Sequence, residues 1–448
     1  MNYRNKILYF IGIGGIGMSA LARWYKHQGA IIYGYDLVSS PLTDELINEG
    51  VHIHFDEDIS KLPENIYTVV YTPAIPSNNT ELDYLKNKGI PTIKRAELIG
   101  KISREFITIA IAGTHGKTSI TALIAHILKH ANINISAFVG GICNNYNSNL
   151  ILSNSTDYFI IEADEYDRSL LQIEPNIAVI SSMDQDHLDI YQNHDDIKNT
   201  FKLFAQKLPE DGVLIHNSKL APFDDAQGKH ITYGANENAT IQASNIHVLN
   251  SKFVIDVNTK IGKIEKLEVQ VPGIHNIENT LAAIAIALEV GLSLDDIKLG
   301  ITTFKGVARR MEFKIANDNN IFIDDYAHHP EEIKVTISAV KQLYPHKKIT
   351  GIFQPHLYSR TRDFVNEFAV ELDKLDEIIL MEIYPARERP IEGITSKIIA
   401  NKIQNKKVVI LDKEKILEYL SNNKPEVLLT MGAGDIGLLS KEIKELYK

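Results

Sequence analysis

The sequence has almost no cysteine, no long apolar run and no excess of basic residues. Its single cysteine, Cys143, has no intramolecular disulfide partner, which fits a reducing compartment. No stretch approaches the ~18 consecutive apolar residues of a membrane span, and the apolar run before Gly12 is too short for a signal peptide. The net charge of −10 excludes a general nucleic-acid or anionic-membrane surface, since such surfaces need clustered lysine and arginine. We therefore expect a cytoplasmic protein that binds neither nucleic acid nor membrane.

The chain is long enough for several domains and has an ordinary globular composition. Of its 448 residues, 44% are hydrophobic and 23% are charged. That length exceeds what one hydrophobic core usually serves. Apolar segments typical of strands alternate with helical segments, which predicts an α/β fold with parallel sheets. We divide the chain into three blocks, residues 1–104, 105–308 and 309–448.

Each block contains its own set of predicted strands and helices. The predicted strands are residues 7–11, 31–35, 68–71, 106–112, 158–161, 177–181, 321–323, 349–353, 377–381, 408–411 and 427–431. The clearest predicted helices are residues 16–27, 120–129 and 276–290, and residues 213–271 form a β-rich stretch with hairpins. Three sheets are the expected result.

One segment strongly indicates a phosphate-binding loop. The β-branched run at residues 107–112 ends in GTHGKTS at residues 113–119, and a predicted helix follows. In such loops backbone N–H groups at a helix N-terminus face a polyphosphate, the lysine reaches the outer phosphates and the hydroxyl binds Mg²⁺. The strict G-x-x-x-x-G-K-[ST] spacing fails, because Ile111 stands five residues before Gly116. A plain glycine turn is therefore the alternative, but the strand before and the helix after favour ATP binding.

A second glycine loop lies in the first block. Residues 12–17 fit G-x-G-x-x-G, and Asp36 follows Gly17 by 19 residues, near the place of a ribose-binding acid. The loop suits a dinucleotide or another diphosphate-bearing ligand. A purely structural turn is less favoured, because three glycines cost backbone entropy. A dehydrogenase has no use for the loop at residues 113–119, and a simple kinase has none for the loop at residues 12–17. An enzyme that joins a nucleotide-activated substrate to another molecule at the expense of ATP uses both.

Acidic side chains follow two predicted strands of the second block. The acids and the one histidine are Glu162, Asp164, Glu165, Asp167, Asp184, Asp186, His187 and Asp189. Ligands bind at the carboxyl ends of strands in open parallel sheets, and oxygen ligands there suit Mg²⁺. His187 is an unusual Mg²⁺ ligand, because Mg²⁺ prefers oxygen. A solvated acidic loop is the alternative for each segment alone.

Histidines and arginines follow two strands of the third block, in DDYAHHP at residues 324–330 and QPHLYSRTR at residues 354–362. Arginines beside histidines at strand ends suggest bidentate binding of a carboxylate or a phosphate. Surface charge with proline-terminated turns is the alternative for each segment. Two such segments after strands of one block favour a binding site.

Together these segments resemble the Mur ligases, and within that family the alanine-adding branch. The resemblance covers essentially the whole chain. It rests on the motifs at residues 12–19, 71–75, 113–118, 162–165, 186–189, 273–276, 324–330, 354–356, 383–387 and 431–435.

The resemblance implies an ATP-dependent ligase of peptidoglycan precursor synthesis that uses Mg²⁺. It would join L-alanine to the carboxylate of UDP-N-acetylmuramate through an acyl phosphate, releasing ADP and phosphate. The fold implied is an N-terminal Rossmann-like parallel sheet that binds the UDP substrate, a central P-loop ATPase-like α/β domain, and a C-terminal Rossmann-like α/β domain that binds the amino acid. We expect a monomer or a weak homodimer, with domain closure to shield the acyl phosphate from water.

The resemblance also implies roles for individual residues. The residues expected at the UDP substrate are Gly14, Gly15, Ile16, Gly17, Asp36, Thr72, Pro73 and Ala74. Those expected at ATP are Gly113, Thr114, His115, Gly116, Lys117, Thr118, Ser119, Asn276, Asn279 and Arg310. The metal ligands would be Thr118, Glu162 and His187, and the amino-acid site would be Tyr326, His328 and Arg360. Catalysis would rest on Lys117 at the transferred phosphate and on His187 or His328 as acceptor of the amine proton.

Two departures keep alternatives open. Many alanine-adding relatives carry arginine where this chain has Leu357, so that anion-binding role is lost or passes to Arg360 or Arg362. Residues 165–168 also occur in the related ligase that attaches recycled murein tripeptide to UDP-N-acetylmuramate, which is the first alternative function. Alternatives from other classes are a nicotinamide-dependent oxidoreductase, which leaves Lys117 unexplained, and a regulatory nucleotide switch without turnover.

Overall fold

The structure is a computed structural model. The structure describes residues 3–76, 78–184, 190–191, 193–235, 238–317, 320–386, 388–404 and 407–447. They divide into two compact units. Unit 1 comprises Met1–Ser244, Val257–Ile264 and Glu278–Phe304, and unit 2 comprises Asn245–Asp256, Glu265–Ile277 and Lys305–Lys448.

Strands and helices alternate along most of the described chain, so the predicted α/β class is confirmed. The strands are β1 (Ile7–Ile11), β2 (Ile31–Tyr35), β3 (His52–His54), β4 (Ile66–Tyr71), β5 (Thr92–Lys94), β6 (Ile107–Ala112), β7 (Ile135–Cys143), β8 (Ser148–Leu152), β9 (Tyr158–Ala163), β10 (Ile177–Ile180), β11 (Val213–Asn217), β12 (Lys229–Gly234), β13 (Ile241–Leu249), β14 (Lys252–Thr259), β15 (Gly262–Val269), β16 (Glu312–Ala316), β17 (Ile321–Asp325), β18 (Ile349–Phe353), β19 (Glu377–Leu380), β20 (Val408–Ile410) and β21 (Val427–Met431). The α-helices are α1 (Ile16–His27), α2 (Pro41–Asn48), α3 (Thr80–Asn87), α4 (Arg95–Ser103), α5 (Lys117–His130), α6 (His194–Ala205), α7 (Ile274–Val290), α8 (Leu294–Thr303), α9 (Pro330–Leu343), α10 (Tyr358–Asp363), α11 (Val365–Leu372), α12 (Ser396–Ala400), α13 (Lys413–Asn422) and α14 (Ile436–Leu446).

The first sheet is parallel and has the strand order β3-β2-β1-β4-β5. After β1, the chain adds β2 and β3 on one side of that strand and then β4 and β5 on its other side. Loops that leave neighbouring strands in opposite directions open a crevice at the carboxyl ends of those strands. The glycine loop after β1 therefore lies beside the segments that follow β2 and β4.

The second sheet has the order β15-β14-β13-β12-β11-β10-β6-β9-β7-β8. Strand β6 lies between β10 and β9 and is parallel to both. The segments after these three strands therefore meet at one edge of the sheet. Strands β7 and β8 form an antiparallel hairpin that the sequence analysis did not predict.

The third sheet belongs to unit 2 and has the order β16-β17-β21-β18-β19-β20. Its strands are parallel except for β16, which runs antiparallel to β17. Strand β16 was not predicted from the sequence, and a short connection returns it directly into β17. Strand β21 separates β17 from β18, whose carboxyl ends carry the two histidine segments.

The helix after the phosphate-binding loop begins at Lys117, three residues earlier than predicted. Gly116, at φ +85°, adopts the left-handed conformation that glycine permits and directs the chain straight into α5. Among the described residues, no helix is both long enough and apolar enough to cross a membrane.

A buried amide ties α1 to the hairpin β7–β8 inside unit 1. The Asn149 side chain in β8 donates to the Ile16 carbonyl at 2.6 Å and to the Ser19 hydroxyl at 2.9 Å. It accepts from Arg23 Nη1 at 2.5 Å, and the same guanidinium pairs with Glu49 at 2.7 Å. The helix that carries the glycine loop is thereby fastened to the sheet that carries the phosphate-binding loop.

We predict that Asn149→Ala destabilises unit 1. The side chain is fully buried, and its loss strands buried donors and acceptors, each costing roughly 1–3 kcal/mol. Urea unfolding should show a free energy of unfolding lowered by about 2 kcal/mol. The control is Asn134→Ala, which removes a solvent-exposed hydrogen bond to Asp157 and should cost about 0.5 kcal/mol or less. Equal losses in the two variants would contradict this account.

Candidate functional site

The glycine loop, Asp36 and Thr72 meet at the carboxyl ends of β1, β2 and β4. The Gly14 N–H donates to Asp36 Oδ2 at 2.7 Å, so the acid is hydrogen-bonded to the loop itself. Gly12 has φ +83°, and a Cβ there would lie 2.8 Å from Thr72 Cγ2. The loop can approach the β4 end this closely only because residue 12 lacks a side chain.

The other predicted residues of this group lie in the same crevice edge. Gly15, Ile16 and Gly17 form the turn that enters α1 and its first residues. Pro73 and Ala74 follow Thr72 and are exposed. A helix N-terminus bordered by an exposed segment suits a diphosphate with an attached nucleoside.

The phosphate-binding loop is held by two serines that the sequence analysis missed. Ser182 accepts a hydrogen bond from the His115 N–H at 2.9 Å, and its hydroxyl lies 2.8 Å from the Thr114 hydroxyl. Ser181 donates to the His115 carbonyl at 2.5 Å. Both serines directly follow β10, the neighbour of β6. Two hydroxyls at that strand end were the signal available in the sequence.

Asn279 lies at the same loop. A Cβ on Gly116 would be 2.5 Å from Asn279 Oδ1. Glycine is therefore required at residue 116 by the close approach of Asn279 as well as by the positive φ. Asn276, one turn earlier in α7, is buried and donates to the Pro272 carbonyl at 2.7 Å. Ser119 lies in the first turn of α5, after Lys117 and Thr118.

Lys117 forms a buried ion pair with Glu165. Its Nζ donates to Glu165 Oε2 at 2.6 Å and to the Gly113 carbonyl at 2.6 Å. Burial lowers the pKa of Lys117, but the carboxylates of Glu165 and Asp164 outweigh it, so the pKa stands above its ordinary value. The Tyr191 hydroxyl donates to the Glu165 carbonyl at 2.6 Å and anchors this acid. The loop therefore holds a permanent positive charge beside its N–H groups.

Two of the three predicted metal ligands are in contact. The Thr118 hydroxyl donates to Glu162 Oε2 at 3.1 Å, and the Gly140 N–H donates to Oε1 at 2.5 Å. A hydroxyl and a carboxylate beside a phosphate-binding loop are oxygen donors of the kind Mg²⁺ takes. His187, the third predicted ligand, lies outside the described residues. Across the part of the chain that is described, no group of three or more His, Cys, Asp or Glu side chains forms a metal-holding cluster.

A cavity of about 180 Å³ joins the two loops within unit 1. Gly17 and Arg95 line one side, and Lys117 and Glu162 line the other. Apolar side chains such as Phe138 form most of the remaining wall, together with Asp164 and Ser169. A ligand in this cavity touches the start of α1 and the lysine of the phosphate-binding loop at the same time.

Unit 2 brings a second set of predicted residues together. The His328 ring lies 5.7 Å from the His356 ring, and Arg360 Nη1 lies 3.5 Å from His356 Nδ1. Tyr326 packs edge-on against His328 at 5.3 Å, and the Arg310 guanidinium lies 5.1 Å from the Tyr326 ring centroid. Tyr326, His328, Arg360 and Arg310 thus form one aromatic and cationic group.

Burial and charge tune this group. Burial lowers the pKa of His328, and Arg360 lowers it further, while Glu332 opposes both. The shift favours the neutral form of the His328 ring. Burial raises the pKa of Asp325 to about 6, although its carboxylate accepts from the N–H groups of Met311 at 2.6 Å and Ala327 at 2.8 Å.

Leu357 has an unusual backbone conformation beside this group. At φ +71° and ψ 138° it occupies a region that is nearly restricted to glycine. The residue caps the short helix α10, which carries Arg360. A strained turn is thus retained where the chain presents this arginine.

Comparisons with known proteins agree along the whole chain. Residues 7–107 match the family model described as Mur ligase family, catalytic domain, residues 111–287 match Mur ligase middle domain, and residues 309–434 match Mur ligase, glutamate ligase domain. A curated UDP-N-acetylmuramate–L-alanine ligase from Christiangramia forsetii is 43% identical over 446 residues, which are 98% of this chain and 97% of that protein.

Two solved structures have the same fold. The UDP-N-acetylmuramate-alanine ligase MurC from Thermotoga maritima has a TM-score of 0.85 at 27% identity and covers 99% of both chains. A murein peptide ligase from Psychrobacter arcticus has a TM-score of 0.71 at 22% identity, covering 99% of this chain and 98% of that one. With the full-length curated match and the three family models, the chain belongs to the Mur ligase family.

Proposed function

We propose that the chain joins L-alanine to the carboxylate of UDP-N-acetylmuramate in peptidoglycan precursor synthesis, converting ATP to ADP and phosphate through an acyl phosphate. The observation that carries this proposal is the cavity lined by both Gly17 and Lys117. An acid bound at the start of α1 and a triphosphate bound at Lys117 would react in this cavity. Full-length identity to curated ligases of this name supports the same substrates. The single, buried Cys143 supports a cytoplasmic location.

The N-terminal sheet would bind the UDP substrate. Gly14, Gly15, Ile16 and Gly17 would hold the diphosphate, with Asp36 and Thr72–Ala74 around the nucleoside. The turn at the start of α1 and the exposed β4 end support these roles. Binding the nucleotide part fixes the muramate carboxylate near the phosphate-binding loop, and such positioning supplies much of the rate.

The central sheet would bind ATP through residues 113–119, with Asn276 and Asn279 near the base and Arg310 reaching the nucleotide. The muramate carboxylate attacks the γ-phosphorus, and ADP leaves. Lys117 stabilises the charge on the transferred phosphoryl group, which is where such contacts are worth most. Thr118, Glu162 and His187 would hold Mg²⁺, which neutralises phosphate charge when bound.

The amino-acid site would be formed by Tyr326, His328 and Arg360. Arg360 would pair with the alanine carboxylate, as its guanidinium geometry favours. The alanine amine attacks the acyl carbon, and phosphate leaves from the tetrahedral intermediate. The lowered pKa of His328 favours its neutral form, which supports a role as acceptor of the amine proton. His187 is the other candidate for this step.

The tripeptide-recycling ligase is the second candidate. Residues 165–168 favour it, since the same run occurs in that enzyme. In this chain, however, Glu165 pairs with Lys117, and Arg168 binds Asp196 with both oxygens at 2.8 and 2.9 Å. These residues are thus engaged in the ATP site and in α6, and their presence does not specify the incoming amine.

A coupled ADP-release assay separates the candidates. We expect turnover only when UDP-N-acetylmuramate, Mg²⁺ and L-alanine are all present, with kcat/KM for alanine above that for the tripeptide. Omitting each component in turn is the control. A higher kcat/KM with tripeptide would move the assignment to the recycling ligase, and hydride transfer to NAD(P) would move it to another class.

Lys117→Ala should reduce kcat by about 100-fold or more, because a charge contact to the transferred phosphoryl group is lost. Calorimetry should still detect UDP-N-acetylmuramate binding. Lys101→Ala, which removes an exposed lysine of α4, is the control and should keep normal turnover. Near-normal kcat in Lys117→Ala would refute the role given to this lysine.

Arg360→Gln should raise KM for alanine about tenfold or more, because a charge-assisted hydrogen bond to its carboxylate is removed. KM for ATP should stay unchanged. Arg362→Gln tests the other arginine to which this role could pass; Arg362 is half exposed and pairs with Asp363 at 2.7 Å, so we expect little change. A larger rise in KM for alanine in Arg362→Gln than in Arg360→Gln would assign the role to Arg362.

A further inference from the structure

Arg95 lines the cavity between the glycine loop at residues 12–17 and the phosphate-binding loop at residues 113–119. It is the first residue of α4 and follows the short strand β5. Its side chain is one-quarter exposed and reaches across to α1. It is one of two basic residues in the cavity lining, the other being Lys117.

The hydrogen-bonding capacity of Arg95 is largely unused in the described structure. Its Nη2 lies 3.8 Å from Asp164 Oδ2, a loose ion pair, and its buried Nε has no hydrogen-bond partner among the described residues. Arg23 and Arg168, in contrast, each bind carboxylates at 2.7–2.9 Å. Lys117 is already bonded to Glu165. Arg95 is thus the cation in this cavity whose donors are available for an anionic ligand.

The position of Arg95 is adjusted to the first turn of α1. A Cβ on Gly17 would overlap the Arg95 guanidinium at Nη1, so the close approach requires glycine at residue 17. The guanidinium therefore lies alongside the first turn of α1. Anions bind at that end of a helix. The third glycine of the loop makes room for an arginine.

We propose that Arg95 binds the diphosphate of the nucleoside-diphosphate sugar substrate, acting with the N-terminal turn of α1 at Gly15 and Ile16. The proposal rests on the proposed function only in taking a UDP-sugar as the ligand. Arginine suits this role because its planar fork donates two hydrogen bonds to phosphate oxygens. Contact with the Gly17 turn favours the diphosphate over the muramate carboxylate, which has to reach the Lys117 side of the cavity.

A purely structural role for Arg95 is the competing explanation. A partly exposed ion pair at 3.8 Å contributes little to stability. The same helix provides a matched control in Arg104, whose Nη2 lies 3.8 Å from Glu174 Oε1 with its side chain 55% exposed. Both arginines sit at an end of α4 and make the same loose pair, but only Arg95 faces the cavity.

The test compares Arg95→Gln, Arg95→Lys and Arg104→Gln with the wild-type chain. Calorimetry with UDP-N-acetylmuramate should give a Kd about 10- to 100-fold higher for Arg95→Gln, as expected for lost hydrogen bonds to a charged group. Arg95→Lys should recover part of the loss, because charge remains but the fork does not. KM values for ATP and alanine should be unchanged, and Arg104→Gln should match the wild type.

Competition by UDP and by UDP-N-acetylglucosamine identifies the group that Arg95 contacts. Both carry the diphosphate and lack the muramate carboxylate. Arg95→Gln should weaken their inhibition by the same factor as it weakens UDP-N-acetylmuramate binding. A loss confined to UDP-N-acetylmuramate would assign Arg95 to the carboxylate and overturn the proposal, as would no loss with any of the three.

Gly17→Ala provides an independent check of the geometry. The added methyl displaces the guanidinium, so this variant alone should weaken UDP-N-acetylmuramate binding, and in the Arg95→Gln background it should add much less. Full additivity of the two changes would contradict the contact. A wild-type chain that fails to bind UDP-N-acetylmuramate would instead contradict the proposed function, which keeps the two failures distinct.

Discussion

The ion pair between Lys117 and Glu165 is the interaction on which the loop at residues 113–119 depends. Taking a lysine and a carboxylate out of water costs several kcal/mol for each ion, which only a close pair with further hydrogen bonds offsets. Here the Gly113 carbonyl accepts a second hydrogen bond from the lysine, and the Tyr191 hydroxyl fixes the backbone of Glu165 by donating to its carbonyl. The pair keeps the lysine charged and folds it over the loop, so the positive charge is in place before any triphosphate arrives.

Sheet topology explains why the polar segments of the chain converge. Strand β6 lies between β9 and β10, so the loop that follows it is bordered by Glu162 on one side and by Ser181 and Ser182 on the other. The same logic joins the segments after β1, β2 and β4 in the first sheet. Each segment taken alone has a plain structural explanation, but parallel neighbours place their ends together and make a site of them.

Much of the fold could be predicted from local patterns. Strands β1, β2, β18 and β21 and helix α1 have the bounds that their apolar patterns predict. Strands β3 and β5 were missed because each has three residues of which only the middle one is apolar, whereas the equally short β20 is wholly apolar. The hairpin β7–β8 was missed because two glycines interrupt its apolar run, and its pairing depends on contacts with β9 that local sequence does not encode.

The candidate site divides in the same way. The loop residues at Gly113–Thr118 and the group of Tyr326, His328 and Arg360 follow from motifs, and the structure brings each set together. The contacts of Arg95 with Gly17 and of Asn149 with α1 join residues 78 and more than 100 positions apart. Such contacts arise from tertiary packing, and no local sequence pattern predicts them. The division into three domains at residues 104 and 308 stays a prediction.

The amide of Asn149 has a consequence for how the two nucleotides would meet. Because it ties α1 to β8, the distance between the glycine loop at residues 12–17 and the loop at residues 113–119 is set when the protein folds. Reactants held at a preset separation lose little further translational freedom on encounter, which is equivalent to a high effective molarity. The hairpin also lines the cavity at Phe138 and Gly140, so its stiffness would bear on how closely the two reactants are held.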